Sequence, residues 1–260
     1  MTTTYTSYQL ITKDIDRSID RISKEPQVER ETAYYLERIS EIKTIDEFMA
    51  DYRVFSYAMK AHGLEDMTYA KAFIRKALTE GIDDESAFAN QLTDPRYKKF
   101  VETFNFARYD DTATVFTRAQ QGTVDKYLRQ TLEEQAGQDN TGVRLALYFE
   151  RNASTITSAY GILGDEALYE VVRTALMLPA EIAGTDVDRQ ADLLNSRLDM
   201  ADFQDPEKVQ EFLERFTALW ELENPSYGGM DSTLLLSSSS GFGISPELML
   251  TLNNLKLGGR

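Results

Sequence analysis

Tyr35-Leu36-Glu37-Arg38 is followed by Ile42, Phe48-Met49, Asp51, Val54-Phe55, Ala58, Ala61 and Leu64. The pattern returns as Tyr148-Phe149-Glu150-Arg151, followed by Ile156, Ile162-Leu163, Asp165, Leu168-Tyr169, Val172, Ala175 and Leu178. The offset reads as 113 residues at the tetrads and 114 thereafter, so one inserted residue brings the two stretches into register. The echo continues: Asp94-Pro95 opens a segment with Phe100, Val101 and Phe104, and Asp205-Pro206 opens one with Phe212, Leu213 and Phe216. Two copies of one helical module are the simplest reading of such self-similarity.

Outward from the repeat, local signals predict helices. Tyr8, Ile11, Ile15, Ile19 and Ile22 fall at helical spacing, and Pro26 interrupts that run. This isoleucine stripe is read as a helix packed on the body, with a partner-binding face as the alternative. A second helix starts after Pro26 with Leu36, Ile39 and Ile42. Thr44-Ile45-Asp46-Glu47 has the form of a capping box, in which the Thr44 hydroxyl and the Glu47 carboxylate satisfy free amides of a helix reaching His62. Gly63 supplies a left-handed stop. Asp66 is read as capping a helix from Thr68 to Glu80, Asp83 a short one through Leu92, and Asp94 the next with Pro95 at its first position.

Residues 107–140 join the modules; Gly122 is read as an interruption, and Val124, Tyr127, Leu128 and Leu132 as a stripe that Gly137 stops. In the second module, Val143 to Ile156, Asp165 to Leu178, Asp188 to Leu198 and Pro206 to Leu222 read as helices, the last with Val209, Phe212, Leu213, Phe216 and Trp220 on one side. No alternating run with hairpin chemistry occurs, so the expected class is all-α. After Glu223 the character changes to a flexible tail: Gly228-Gly229, Ser237 to Ser240 and Gly241-Phe-Gly243 read as linker, ahead of Leu248, Leu250, Leu252 and Leu255. These leucines fit a helix after Ser245-Pro246 or a strand added to a partner.

The expected organisation is thus an N-terminal helical arm over 1–27, a first module over 28–106, a connector over 107–139, a second module over 140–223 and a linker with leucine-rich tail over 224–260.

Charge and composition exclude several functions. Net charge is −15, and residues 1–30 and 224–260 are each balanced, so the whole excess sits in the 31–223 body. Such a body repels phosphate backbones and no basic stripe offsets it, which argues against nucleic-acid binding. No 18-residue apolar run is present to span a membrane. The first ten residues lack the basic and apolar regions of a cleavable signal. The chain has no cysteine, hence no disulfide, thiol nucleophile or thiolate metal site.

Catalytic signatures are equally sparse. One histidine, His62, is too few for a zincin-type site, and its place before Gly63 suits an imidazole favoured by the negative end of a helix. No P-loop, G-x-G-x-x-G or G-x-S-x-G occurs. Ser40-Glu41-Ile42-Lys43 matches S-x-x-K without its companion motifs, and reads as a solvated helix face. Asp199, Asp202 and Asp205 lack the spacing of a calcium loop and read as caps and a turn. The repeated Asp51 and Asp165, and the repeated pairs Glu37-Arg38 and Glu150-Arg151, read as caps and salt bridges holding each module. No catalytic residue, metal site or cofactor is expected.

The phrases Tyr8-Gln-Leu-Ile-Thr12, Tyr57-Ala-Met-Lys-Ala-His-Gly-Leu-Glu-Asp66, Tyr69-Ala-Lys-Ala-Phe73, Thr103-Phe-Asn-Phe106, Val143-Arg-Leu-Ala-Leu-Tyr-Phe-Glu-Arg151 and Leu168-Tyr-Glu-Val-Val-Arg-Thr-Ala175 carry a likeness. They resemble the domain of unknown function 1217 family of alphaproteobacteria, over roughly Tyr5 to Glu223. The resemblance implies a two-copy helical protein encoded among flagellar genes, and carries over no catalytic residue.

The expectation is therefore a non-enzymatic structural or interaction protein of flagellar assembly or motility, cytoplasmic or flagellum-associated, with protein partners. Its candidate contacts are Ile11, Ile15, Ile19 and Ile22 in the arm and Leu248, Leu250, Leu252 and Leu255 in the tail. The alternatives are a cytosolic chaperone or regulator of flagellar export and, further off, an enzyme using paired carboxylates.

Overall fold

Asp51 ends one helix and begins the next. In the computed structural model, which describes residues 2–224, its backbone leaves the helical region (φ −76°, ψ 90°) and its carboxylate accepts the amide of Val54 at 3.2 Å. The long helix expected from Thr44 to His62 is consequently two, because a carboxylate that caps the second cannot continue the first.

The elements in order are α1 (Thr4–Thr12), α2 (Ile15–Ser23), α3 (Pro26–Ile39), α4 (Ile45–Ala50), α5 (Tyr52–Ala61), α6 (Lys71–Glu80), α7 (Pro95–Thr103) and α8 (Phe106–Tyr109). They continue as α9 (Gln121–Asp139), α10 (Thr141–Asn152), α11 (Ala159–Leu163), α12 (Glu166–Ala175), α13 (Val187–Arg197) and α14 (Pro206–Glu223). The class is all-α, with no strand among the described residues.

Many starts are the ones local chemistry dictates. Thr44 and Glu47 close the capping box of α4 reciprocally. Asp94 and Asp205 cap α7 and α14, each with proline at the first position. Elsewhere the tertiary structure overrides the local signal. The arm is two helices, because Asp14 accepts the Arg17 amide and caps α2. The chain after Leu64 makes a 3₁₀ turn, Glu65–Met67, and α6 starts only at Lys71. Between Asp83 and Leu92 a single 3₁₀ turn, Phe88–Asn90, replaces the expected helix, while Asp84 closes a turn onto Ser86.

The connector differs most. Gly122 and Gly137 neither interrupt nor stop it, and α9 runs unbroken to Asp139. A Cβ on Gly137 would stand 2.7 Å from Arg144 Cδ, so the glycine permits a close crossing by α10. Asn140 makes the stop, its side chain accepting the Val143 amide at 3.3 Å as the cap of α10.

The two tetrads align differently from their letters. Tyr34 donates to Asp51 Oδ2 at 2.9 Å, and Tyr148 donates to Asp165 Oδ2 at 2.6 Å, each across 17 residues. Tyr34 therefore corresponds to Tyr148, and Tyr35 to Phe149, both fully buried. A one-residue slip turns a helix by about 100°, and the tetrad register would have matched half-exposed Leu36 with fully buried Phe149. No insertion is needed; the offset is 114 throughout this stretch.

Arm, modules and connector lie in one compact unit ending at Asn224, and its buried apolar side chains gather in two clusters. The first joins Ile22, α3 to α7 and one face of α9 (Val124, Leu128, Leu132). Phe48 meets Phe55, Phe100 and Phe104 there, and Tyr35, Tyr57 and Tyr127 stack in sequence with centroids 4.4 and 3.8 Å apart. The second joins Tyr8 with α10 to α14 around Phe149, Phe203 and Phe212. The arm thus serves both clusters, α2 joining the first through Ile15, Ile19 and Ile22, and α1 the second through Tyr8, with Ile11 touching both.

Trp220 of α14 lies on Gly142 of α10, where a Cβ would come within 2.3 Å of the indole. Gly142→Ala is expected to displace the ring and cost about 1–3 kcal/mol, seen as a lower urea midpoint with an unchanged slope. Gly184→Ala, with nothing within 4 Å of its Cβ, is the control.

Candidate functional site

Of the candidate contact residues, Ile22 is fully buried, and Ile11, Ile15 and Ile19 are half-buried against the core. The apolar side of the arm is spent on the body, α1 resting on α10 and α14 and α2 on α9. Leu248, Leu250, Leu252 and Leu255 lie outside the described residues. Ser40 and Lys43 are solvent-exposed, and Asp199 and Asp205 cap a 3₁₀ turn and α14.

The structure instead brings together charged residues along α9. Glu133 is 1% exposed and accepts from two arginines: Arg129 Nε at 3.1 Å, and Arg151 Nε and Nη2 at 2.8 Å each. Arg129 also reaches Glu150 Oε2 at 3.1 Å and the Leu147 carbonyl at 3.2 Å, while Arg151 donates to Gln130 Oε1 at 3.3 Å. The next residue, Glu134, pairs with Lys60 of α5 at 2.6 Å. The Glu-Arg pair of the second tetrad thereby bolts α10 to α9. In the first tetrad, Arg38 pairs within its own module, with Glu41 and Asp51, and Glu37 is exposed. The 114-residue register explains the difference, since Arg151 corresponds to Glu37 and not to Arg38.

His62 stands at the other end of this seam, 9% exposed. Its Nδ1 lies 2.9 Å from the Ala58 carbonyl, which can only accept, so Nδ1 carries the proton and Nε2 is the acceptor. Lys126 Nζ donates to Nε2 and to Thr103 Oγ1, each at 3.1 Å, and the Thr103 hydroxyl donates to the Lys99 carbonyl. Burial lowers the imidazole to a pKa of about 3, with the Lys126 charge adding to the effect. The helix-end contact expected of His62 is present, but the ring meets it neutral. Burial also lowers the Lys126 ammonium.

Chemically this seam is closed. Glu133 is sealed by its guanidiniums, and a general acid or base must be open to the group it serves. Two clefts do open on the surface. One of about 410 Å³ is lined by Gly63, Arg96, Gln130, Glu134 and Arg144, with Arg96 committed to Asp94 and Glu134 to Lys60. The other, of about 360 Å³, lies among α1, α10 and α14 and includes Tyr8, Lys13 and Glu150.

Comparison with known proteins places the chain. The model of the family described as "Protein of unknown function (DUF1217)" matches residues 61–209. The chain belongs to the DUF1217 family. This DUF1217 protein is also similar to a protein of Agrobacterium tumefaciens whose X-ray crystal structure is known, with 55% identity and a TM-score of 0.80 over 85% of this chain and 94% of that one. No curated protein matches. The family match spans His62, Lys126, Glu133 and Arg151, and leaves out Tyr8 and the isoleucine stripe.

The sequence pointed to the seam through Glu150-Arg151, read as ion-pairing residues, and carries a further signal in Arg129 and Glu133, a helical i, i+4 pair beside an apolar stripe. Burial is what separates this pair from an ordinary surface one.

Two outcomes follow for this DUF1217 protein. Glu133→Gln is expected to cost about 3 kcal/mol, since it leaves charge uncompensated in the interior; Glu41→Gln, on an exposed pair, should change the unfolding free energy from urea titration by under about 0.5 kcal/mol. His62 takes its proton near pH 6.5 when unfolded but only near 3 when folded. Its folded value is depressed, so its contribution is complete above pH 6.5 and declines as pH falls toward 3, by at most about 1.4 kcal/mol per unit. Urea midpoints at pH 7, 6 and 5 should fall in the wild type and fall less steeply in His62→Gln.

Proposed function

We propose that this DUF1217 protein is a non-enzymatic structural or interaction protein serving flagellar assembly or motility. The flagellar setting rests on the family resemblance. The contact role rests on one residue, Met177. It lies in the left-handed region (φ 52°) just past α12, and it is 71% exposed. The residue 114 places earlier is Gly63, also left-handed (φ 69°), where glycine does this at no steric cost. A side chain other than glycine costs about 1–2 kcal/mol there. Holding a methionine in solvent at that cost is explained by a partner that covers it, since its flexible thioether adapts to varied surfaces.

The test pairs folding with binding. Met177→Gly is expected to keep or raise stability, by up to about 1 kcal/mol, while reducing recovery of flagellar components cross-linked to the full-length protein in motile cells. Recovery from the basal-body or filament fraction supports a structural part. A purely soluble pool points instead to an export chaperone or regulator. If no flagellar component is recovered and a deletion strain swims normally, the proposal fails.

A further inference from the structure

Tyr8 is a buried side chain with an unsatisfied end. It is 2% exposed and packs in the second apolar cluster, yet its hydroxyl makes no hydrogen bond among the described residues. It is also not among the sealed polar atoms, which are Asn90 Oδ1, Thr131 Oγ1 and Tyr169 OH. Its hydroxyl therefore reaches open space, and the space it lines is the cleft of about 360 Å³ among α1, α10 and α14. Burial and the Glu150 carboxylate both raise the phenol's pKa, so it stays protonated and acts as a donor.

The charges around that donor select a ligand. Besides Tyr8, the ionisable groups lining the cleft are one cation, Lys13, and one carboxylate, Glu150. Lys13 has no ion pair among the described residues. Glu150 gives Oε2 to Arg129 and keeps Oε1. Ser154 and Gln204 add neutral hydrogen-bonding groups, with the Gln204 amide nitrogen already given to the Ile156 carbonyl and its oxygen left over. Phe203 and Val209 supply apolar wall. An anion entering here would face Glu150, a cation would face Lys13, and a neutral sugar would leave Lys13 without a partner and Glu150 with Arg129 alone. A molecule carrying one charge of each sign pairs both.

We propose that this cleft binds a free amino acid, its carboxylate at Lys13 and the Tyr8 hydroxyl and its ammonium at Glu150 Oε1. The site shares no residue with the Met177 surface, and neither reading depends on the other.

The experiment is isothermal titration of the full-length protein with each standard free amino acid, its N-acetyl and amide forms, and glucose. At least one free amino acid should bind. Its N-acetyl and amide forms, each lacking one charge, should bind about tenfold more weakly. Tyr8→Phe removes a single hydroxyl from a packed ring and should weaken binding about fivefold at an unchanged thermal midpoint. Lys13→Ala, at an exposed helix end, should weaken it without unfolding the chain. The proposal is overturned by no binding at about 10 mM, by equal binding of the blocked forms or of glucose, or by a Tyr8→Phe protein that binds as the wild type does.

Discussion

The buried carboxylate of Glu133 governs how the helices of this protein meet. Withdrawing one carboxylate from water costs several kcal/mol, and only well-placed opposite charge offsets that. Arg129 lies one turn away on the same helix, but Arg151 belongs to α10, so the charge is compensated only when α9 and α10 lie in one register. Apolar contacts alone tolerate sliding, because one leucine can replace another in a groove; a paired carboxylate cannot be replaced in this way. With its apolar face in the first cluster and its charged face on α10, α9 ties the two halves of the core together. The His62 and Lys126 contacts extend the same seam toward α7.

A second constraint sits at the Asn140 corner, where the start and finish of the described chain come together. Thr4 is fully buried; its amide donates to Glu221 at 2.9 Å, and its hydroxyl accepts from Asn140 Nδ2 at 2.9 Å. The side chain that caps α10 thereby also anchors α1, while Trp220 presses on Gly142, the second residue of α10. Tyr8 lies one helical turn beyond Thr4, so fixing the beginning of α1 also fixes the wall of the cleft that Tyr8 lines. That wall is built by folding, and a ligand need not order it.

What the sequence disclosed was local physics. Aspartate before proline, threonine three residues ahead of glutamate, and glycine after an apolar run each act on the nearest few amides, and α4, α7 and α14 start where those residues say. Effects between elements were not legible. Asp51 was legible as a cap from its recurrence at Asp165, but the split it makes in the helix expected from Thr44 to His62, with Tyr34 donating to the same carboxylate, was not. Gly137 reads as a helix stop until Arg144 is seen to need the space. The matching tetrads suggested a 113-residue register because identical letters attract alignment; burial of Tyr35 and Phe149 sets it at 114. In the cleft, Tyr8 was read as part of a helix packed on the body, and the state of its hydroxyl was not legible because it depends on what α10 and α14 leave uncovered.

We read the constant offset as two copies of one module, and the contrast at its C-terminal turn argues how they came to differ. His62-Gly63 and Leu176-Met177 take the same turn after the same helix. In the first half the turn faces α7 and α9, and its histidine is drawn inward to Thr103 and Lys126, where only glycine follows without strain. In the second half a leucine replaces the histidine and the next residue is a methionine in solvent. On that reading, the two turns share a backbone, and only the first holds a buried polar partner. On the proposed contact role, an external partner accounts for the strained and exposed Met177, which lies past α12 and away from the Glu150 and Arg151 side chains that meet α9.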